Sequence, residues 1–315
     1  MASSIDSPRT TILAAFILLV IASTGTSLQP LSPPVKSYNA TLSIVPCTTQ
    51  VEIIANASHP SLKGQIGPAY ADPNLWIVWT MRENRSLQGY SLITCLPQAP
   101  LRVEVNLSTS KPMSPNSVLA YPSVILGRKP WDKNTTTHPI LPLPVTTLPQ
   151  ITVSANYTIL EARSSYNIAY DLWILHSDET TTPGRGDIEV MIWITWRNAT
   201  PLGKPSGIIP YPLMLNGTLK TINWEVWVTP RTASGWSHVA FRPQQPLGNA
   251  AITINITPLI YKALTTLKKT DPTSLNYKLL SSLQLVSIEL GSEVYYAPNS
   301  HIKWELHTYT ININP

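Results

Sequence analysis

The amino-acid sequence predicts an all-β protein in which two antiparallel sheets stack as a β-jelly-roll sandwich. The 315 residues include thirty prolines, which exclude long helices. Apolar side chains recur in short alternating runs separated by Pro, Asn and Gly, a pattern typical of strands joined by turns. Hydrophobic residues make up 43% of the chain and charged residues 12%, against about 25% in an ordinary soluble domain. The composition therefore provides a large core and argues against a salt-bridged helical bundle or a coiled coil.

The first 45 residues are predicted to precede the main domain. Residues 12–22 form an uninterrupted apolar run between Arg9 and a group of small residues, which is typical of a signal peptide, here assigned to residues 1–27. A membrane anchor is the alternative, although a spanning helix needs roughly 17 to 25 apolar residues. Residues 28–45 are rich in Pro and Ser and are interpreted as a tether. Residues 46–315 then form a single jelly-roll domain.

Secretion gives a meaning to the two cysteines and to the glycosylation sequons. Cys47 and Cys95 are too few and too far apart for a zinc site. They are either free thiols or one disulfide, and export favours the disulfide. N-x-S/T sequons support an extracellular glycoprotein, although a chain rich in Asn, Ser and Thr contains some by chance. They begin at Asn39, Asn56, Asn84, Asn106, Asn134, Asn156, Asn198, Asn216 and Asn255.

One segment departs from the strand pattern and predicts a single helix near residues 257–270. Thr257 is a suitable N-cap, and Pro258 suits the first helical position. Lys268 and Lys269 follow at the C-terminal end, where cations complement the helix dipole. The apolar residues between these ends fall at helical spacing and are Leu259, Ile260, Ala263, Leu264 and Leu267.

Charge and motifs exclude several classes of function. Twenty-two Lys and Arg against seventeen Asp and Glu give a net charge of +5, but the positive residues are scattered, so no nucleic-acid partner is expected. The six His show no metal-ligand spacing. The chain contains no G-x-S-x-G elbow, P-loop or dinucleotide fingerprint. We therefore expect no metal and no cofactor.

Carboxylates are scarce enough for acid chemistry to be located by strand alternation. Glu189 shares a strand face with the thioether of Met191 and the indole of Trp193, which suits the floor of a sugar-binding cleft. Three apolar runs each place carboxylates opposite the apolar face: 167–175 with Asp171, 188–195 with Glu189, and 285–295 with Glu289 and Glu293. If these strands are neighbours, the carboxylates converge; otherwise they are unrelated solvated charges. Paired carboxylates beside aromatic residues in an exported β protein favour glycoside hydrolysis.

In the third of these runs, alternation assigns four residues to the core, namely Val286, Ile288, Leu290 and Val294.

Four short motifs occur in order along the chain: Asn74-Leu75-Trp76, Tyr170-Asp171-Leu172-Trp173, Glu189-Val190-Met191-Ile192-Trp193 and Gly291-Ser292-Glu293. Together with the loop Pro201-Leu202-Gly203, they resemble glycoside hydrolase family 12, the small secreted β-jelly-roll endoglucanases, and in particular its archaeal endo-β-1,4-glucanases. The resemblance extends over nearly everything after residue 45.

The resemblance implies roles for individual residues. Glu189 matches the catalytic nucleophile, Glu293 the general acid/base, and Asp171 the carboxyl group that hydrogen-bonds the nucleophile. Some members carry a disulfide between the first strand and the segment after N-x-W, which is where the two cysteines fall. The matching substrate-binding positions are Asn74, Trp76, Met191, Trp193 and Pro201.

An enzyme of this kind hydrolyses internal β-1,4-glucan bonds with retention of configuration, using carboxyl groups about 5 to 5.5 Å apart. Glu289 is excluded from the pair because four residues of strand, about 13 Å, separate it from Glu293. Trp76 and Trp193 are expected to stack on pyranose rings.

We expect a secreted monomer that binds polysaccharide and has no obligate protein partner. The alternatives are a non-catalytic, lectin-like carbohydrate-binding β-sandwich, or the same catalytic fold acting mainly on xyloglucan or another β-1,4-polysaccharide.

Overall fold

The computed structural model describes residues 38–59, 62–76, 87–110, 112–131, 138–177, 179–272 and 277–315. The predicted signal peptide and residues 28–37 of the predicted tether lie outside these ranges. The described strands are β1 (Ala40–Val45), β2 (Val51–Asn56), β3 (Gly64–Ile66), β4 (Ala69–Asp72), β5 (Leu87–Cys95), β6 (Leu101–Thr109), β7 (Val118–Ala120), β8 (Ser123–Gly127), β9 (Leu143–Pro144), β10 (Gln150–Ala162), β11 (Tyr166–Leu175), β12 (Ile188–Arg197), β13 (Lys204–Leu215), β14 (Thr218–Thr229), β15 (Ser237–Pro243), β16 (Ala250–Asn255), β17 (Gln284–Gly291), β18 (Val294–Tyr295) and β19 (Asn299–Asn314). The helices are α1 (Thr257–Thr270), α2 (Tyr277–Ser282) and a 3₁₀ turn at Val145–Thr147.

Hydrogen bonding arranges these strands in two layers. The back sheet runs β2–β5–β6–β19–β10–β16, and β1 also pairs with β19. The front sheet runs β3–β4–β8–β17–β11–β12–β15–β14–β13, in which β12 and β15 are parallel and the other pairs antiparallel. The end of β13 also pairs with β16 and so connects the two sheets. The predicted all-β jelly-roll sandwich is confirmed.

Alternation along β11 and β12 decides which side chains reach the core between the sheets. Tyr170 and Leu172 of β11 lie in the main core with Val190 and Ile192 of β12. The predicted core faces of these two strands are therefore confirmed. We call the opposite side of the front sheet the front face, and it carries Asn167, Ala169, Asp171, Trp173, Glu189, Met191 and Trp193.

The third carboxylate run is less regular than predicted. The register between β11 and β17 shifts so that Val286 has no partner in β11. Val286 therefore packs with Trp173 on the front face, while the adjacent Leu285 reaches the core. The prediction that Val286 faces the core is wrong, because strand alternation cannot anticipate a bulge. The run is also divided into β17 and β18, and Glu293 lies between them.

The predicted helix is confirmed as α1, with one change at its start. Ile256, and not Thr257, occupies the N-cap position. The Thr257 hydroxyl group donates to the Pro149 carbonyl at 2.8 Å and accepts from the Ile151 amide at 2.9 Å, so it ties α1 to the start of β10. The short helix α2 was not predicted. Among the described residues, no helix is long and apolar enough to cross a membrane.

The folded domain begins earlier than the predicted boundary at residue 46. β1 lies within the range assigned to the tether and pairs with residues 309–313 of β19. Leu42 and Ile44 of β1 are buried in the core. Burial of these side chains favours pairing at the sheet edge over solvation. The tether prediction is therefore wrong for residues 40–45.

A disulfide joins Cys47 and Cys95, as predicted. Cys47 follows β1, and Cys95 is the last residue of β5. The residue that pairs with Cys95 in the neighbouring strand β2 is Val51. The bridge therefore fastens the connection between β1 and β2 to the end of β5.

Replacing both cysteines by alanine should lower the free energy of unfolding by about 4 kcal/mol, because the bridge closes a loop with a sequence separation of 48. Urea titrations of the parent protein and the Cys47→Ala/Cys95→Ala variant measure the difference. As a control, the unfolded and unreduced parent should expose no titratable thiol; two reactive thiols per chain would contradict the bridge.

Candidate active site

Strand β11 makes the three predicted carboxylate strands neighbours. It lies between β12 and β17, so Asp171 is the register partner of Met191 on one side and of Glu289 on the other. Glu189 lies two residues before Met191 in β12, and Glu293 follows the end of β17. The condition for the carboxylates to converge is therefore met.

Glu189 is almost enclosed at the front face. Its residue surface is 9% exposed, and the indole N–H of Trp236 donates to Glu189 Oε2 at 2.8 Å. Burial, reinforced by the negative charges of Glu293 and Glu289, raises the pKa of Glu189 to about 8, although the Trp236 N–H and the Lys129 charge act in the opposite direction. Glu189 can therefore hold a proton at neutral pH in the absence of a ligand.

Two further indole rings, those of Trp131 and Trp173, hold Trp236 in place. The ring centroids of Trp173 and Trp236 lie 5.6 Å apart, and the Trp131 centroid lies 5.1 Å from Trp173 and 5.5 Å from Trp236. All three contacts are edge-to-face, an arrangement that is favourable for aromatic pairs. The amide of Trp131 donates to the Thr181 carbonyl at 2.7 Å, which anchors the exposed member of the cluster. The cluster therefore restricts the direction in which Trp236 donates.

Glu293 is fixed by Asn167 and Tyr295. The Glu293 amide donates to Asn167 Oδ1 at 3.1 Å, and Asn167 Nδ2 donates in return to Glu293 Oε2. The Tyr295 hydroxyl group donates to the same Oε2 at 2.8 Å. Burial raises the pKa of Glu293, while these two donors act in the opposite direction. Because both donors use Oε2, Oε1 is the oxygen that can carry a proton.

Gly291 allows the strand before Glu293 to lie against β8. A Cβ atom at this position would lie 2.5 Å from the Pro122 carbonyl oxygen and 2.7 Å from the Ser123 Cβ. A residue with a side chain would push the two strands apart. The hydroxyl group of the next residue, Ser292, accepts from the Trp304 indole N–H at 3.1 Å. Gly291 and Ser292, which precede the carboxylate in the Gly-Ser-Glu motif, thus each have a structural role.

Asp171 is buried between the other carboxyl groups. No N–H or O–H group of the described residues donates to its Oδ1. Burial, followed by the negative charges of Glu189 and Glu289, raises the pKa of Asp171 well above its usual range, and Lys129 acts in the opposite direction. A protonated Asp171 can donate a hydrogen bond to a neighbouring carboxylate. The bond to Glu189 implied by the resemblance stays a prediction.

Glu289 is buried in an ion pair and is not in the Glu293 position. Its Oε2 lies 3.1 Å from Lys129 Nζ and accepts from the Ser123 hydroxyl group at 3.2 Å. The exclusion of Glu289 from the Glu189 and Glu293 pair stays a prediction.

Contacts with Tyr121 connect Asn74 and Trp76 to the front sheet. The Asn74 amide donates to Asp72 Oδ1 and its carbonyl accepts from the Tyr121 amide, both at 2.9 Å. The centroids of the Trp76 and Tyr121 rings are 6.3 Å apart, and the Tyr121 hydroxyl group donates to the Ala169 carbonyl of β11 at 3.2 Å. Both predicted residues are half-buried, which leaves part of each side chain accessible.

Met191 and Trp193 lie on the front face but beneath its surface. They are 4% and 1% exposed and pack with Ala169, Ala240 and Tyr295. The prediction that Trp193 stacks on a pyranose ring is therefore wrong, because its ring has no open face. Trp193 instead belongs to the same buried cluster as Tyr295, which donates to Glu293.

Pro201 is buried at the start of a loop that approaches the neighbour of Glu189. The backbone of the next residue, Leu202, forms a hydrogen bond with the His238 side chain. His238 is the register partner of Glu189 in β15. Burial lowers the pKa of His238 to about 4, although the bond to Leu202 acts in the opposite direction. The imidazole beside Glu189 is therefore neutral at neutral pH.

Sequence reasoning missed several residues that surround the carboxylates. Asn167 and Tyr295 could have been identified, because alternation places them on the faces of Asp171 and Glu293. The others lie outside regular strands, where periodicity gives no direction, and are Tyr121, Lys129, Trp131 and Trp236. In the described ranges, no group of three or more His, Cys, Asp or Glu side chains could hold a metal ion.

The sequence matches Glycosyl hydrolase family 12 over residues 68–314. The chain belongs to this family. Endoglucanase S of Pectobacterium parmentieri, a curated relative, is 29% identical over 146 residues, which are 45% of this chain and 52% of the relative. The chain thus spans about half the length of that relative.

Solved structures support the same fold. A family 12 xyloglucanase from Bacillus licheniformis has a TM-score of 0.60 at 18% identity, over 84% of this chain and 100% of that one. An endoglucanase from Rhodothermus marinus has a TM-score of 0.57 at 18% identity, over the same 84% and 100%. At these identities the likeness concerns the fold alone.

Stability should fall as the pH rises from about 4 to about 8. The pKa of Glu189 is about 8 in the folded state and near 4.5 without the fold, so protonation of Glu189 favours the folded state below the lower value. This contribution is lost as the pH rises through the higher value. Glu189→Gln should flatten the profile by about 3 to 5 kcal/mol in urea titrations at pH 4.5 and 8.5. Glu305→Gln, in an exposed ion pair with Arg102, should keep the parent slope; a parent-like slope in Glu189→Gln would refute the assignment.

Trp236→Phe should raise the midpoint of this pH-dependent change by about one unit, because the variant keeps an aromatic ring and loses the N–H that stabilises ionised Glu189. The midpoint is read from urea titrations at closely spaced pH values. Trp173→Phe is the matched control, since its Nε1 has no hydrogen-bond partner among the described residues. Equal shifts in the two variants would mean that packing, and not the hydrogen bond, is responsible.

Proposed function

We propose that this family 12 chain is a secreted endo-β-1,4-glucanase that hydrolyses glucan chains with retention of configuration. The observation that carries the proposal is the pair of buried carboxyl groups, Glu189 and Glu293, with different hydrogen-bond donors on one face of the front sheet. Two carboxyl groups with unlike surroundings can divide the roles of base and acid.

In the first step, the Glu189 carboxylate attacks the anomeric carbon while Glu293 gives its proton to the leaving glycosidic oxygen. The Glu189–sugar ester forms as the glycosidic bond breaks. In the second step, Glu293 takes a proton from water, the water oxygen attacks the anomeric carbon, and the ester bond breaks to release Glu189 as a carboxylate. The proton balance closes because Glu293 regains the proton it gave.

The neighbours of each carboxyl group support this division of roles. The raised pKa of Glu189 disfavours the carboxylate that must attack, and the Trp236 N–H opposes this effect by donating to one oxygen of Glu189. Tyr295 and Asn167 both use Oε2 of Glu293, so the proton to be transferred resides on Oε1. Asp171, with its raised pKa, can give a hydrogen bond to Glu189 as negative charge develops there.

A β-1,4-glucan is the substrate that the relatives favour. Endoglucanases and a xyloglucanase are among the similar proteins, so xyloglucan is the second candidate. Trp76 and the exposed ring of Trp131 are the aromatic surfaces near the site on which pyranose rings can stack. Secretion, a monomeric state and glycosylation at the sequons complete the proposal and rest on the sequence pattern.

Glu189→Gln and Glu293→Gln should each reduce hydrolysis of soluble β-glucan by about 10³-fold or more, since each removes one obligatory role. Release of reducing ends measures the rate, and circular dichroism checks the fold. Glu305→Gln on the back sheet is the matched control and should retain parent activity. Near-parent turnover in either site variant would end the assignment, as would a trapped fluoro-sugar ester on a residue other than Glu189.

The same assay separates the enzyme from a lectin-like sandwich. A binding protein gives affinity for β-glucan without new reducing ends, whereas the proposed enzyme shortens internal chain segments. A panel of carboxymethyl cellulose, mixed-linkage glucan, xyloglucan, xylan and mannan, with product analysis, then identifies the preferred polysaccharide.

A further inference from the structure

A buried ion pair lies beside the carboxyl groups of the candidate site. The Lys129 ammonium nitrogen is 3.1 Å from Glu289 Oε2, and the two side chains are 7% and 0% exposed. A buried ion pair often contributes little net stability, because desolvation offsets the attraction. Its position therefore calls for a reason other than stability.

Both members of the pair are held in place by neighbours. Lys129 follows β8, and its ammonium group lies 5.3 Å from the centroid of the Tyr121 ring. The backbone amide of Lys129 donates to the Tyr70 hydroxyl group at 3.3 Å. Ser123 of β8 donates to Glu289 Oε2, the oxygen that also faces Lys129. The two charges are thus fixed relative to β8 and β17.

This pair is coupled to the nucleophile candidate through β11. Glu289 is the register partner of Asp171, and Asp171 is the register partner of Met191 in the strand that carries Glu189. The charges of Glu289 and Lys129 act on both Asp171 and Glu189, with opposite signs. The titratable and charged groups around Glu189 are Asp171 on β11, Glu289 on β17, Glu293 and Tyr295 at β18, His238 on β15, and Tyr121 and Lys129 beside β8. Asp72 on β4 acts on Glu289 and Lys129.

Charge balance explains why neither member should occur without the other. Asp171, Glu189 and Glu293 are three carboxyl groups close enough to affect one another electrostatically. A fourth, unpaired carboxylate at Glu289 would oppose ionisation of Glu189. An unpaired Lys129 would have the contrary effect and would favour ionisation of all of them. The two charges therefore act against each other at Glu189.

Resting on the proposed function, we propose that Lys129 and Glu289 form a positioning pair that acts through Glu189: each charge compensates the other, so that the ionisation of the nucleophile shifts when one of them is lost alone. Neither residue touches the scissile bond in this proposal. Glu289 likewise opposes the effect of the Lys129 charge at Asp171, where an uncompensated ammonium group would favour the carboxylate.

The test compares Glu289→Gln with the double variant Lys129→Met/Glu289→Gln. Glu289→Gln removes one negative charge and leaves Lys129 uncompensated, so the acidic limb of the pH profile of kcat/KM should move down by about half a unit to one unit. The double variant removes both charges at nearly constant volume and should return the limb to within about 0.2 units of the parent. Glu305→Gln, which breaks the exposed pair with Arg102, should leave the limb unchanged.

A purely structural role predicts a different result. Both variants would then lose thermal stability without any movement of the limb, and that outcome overturns the proposal. A double variant that shifts as far as Glu289→Gln also overturns it, because the shift would not come from the balance of two charges. If Glu289→Gln fails to fold, the double variant is measured alone. A double variant that folds with a displaced limb also overturns the proposal.

A measurement without substrate separates this inference from the proposed function. The pH midpoint of the stability change that Glu189→Gln abolishes should move down in Glu289→Gln and return in the double variant. If no variant or parent hydrolyses β-glucan but this midpoint moves as stated, the proposed function fails and the charge pair stands. If hydrolysis is found and the midpoint does not move, the pair has no such role.

Discussion

The register of β11 between β12 and β17 is the constraint on which the site depends. It makes Asp171 the neighbour of Met191 and Glu289 at once and thereby gathers carboxyl groups from three strands. A slip of one residue would turn Asp171 toward the core and Tyr170 toward the front face. The apolar residues on the core side of β11 and β12 exclude that slip, because their burial is worth far more than any contact on the front face. Packing of the core therefore determines which carboxyl groups lie next to one another on the front face.

Burial of the carboxyl groups is the second feature that the site needs. Removing a carboxylate from water is costly, and the observed arrangement limits that cost with the Trp236 donor, the Asn167 and Tyr295 donors and the Lys129 charge. The remaining penalty appears as raised pKa values of Glu189 and Glu293. Burial thus makes the site unfavourable for folding at high pH, and at Glu293 it favours the protonated form that the proposed acid role needs.

The corrections to the predictions have local physical causes. Val286 leaves the core because a bulge offsets the register of β17, and Trp193 is covered because it lies in a buried cluster that includes residues of other strands. The hydroxyl group of Thr257 accepts from the Ile151 amide of β10 instead of capping its own helix. In each case the residue type and the element were predicted correctly, and a contact from a distant part of the chain decided the orientation.

The sequence by itself determined the sandwich of short strands, the helix after β16, the disulfide, and the faces of β11 and β12 that carry Asp171 and Glu189. These follow from periodicity, cysteine number and breaker residues, which act over a few neighbouring positions. Only the tertiary structure decided that Trp236 donates to Glu189, that Lys129 pairs with Glu289, and that Asn167 and Tyr295 hold Glu293. Most of these contacts join residues that are distant in sequence, and Trp236 and Lys129 lie in loops whose direction no alternation specifies. The packing of the two sheets fixes those loops, and with them the electrostatics of the site.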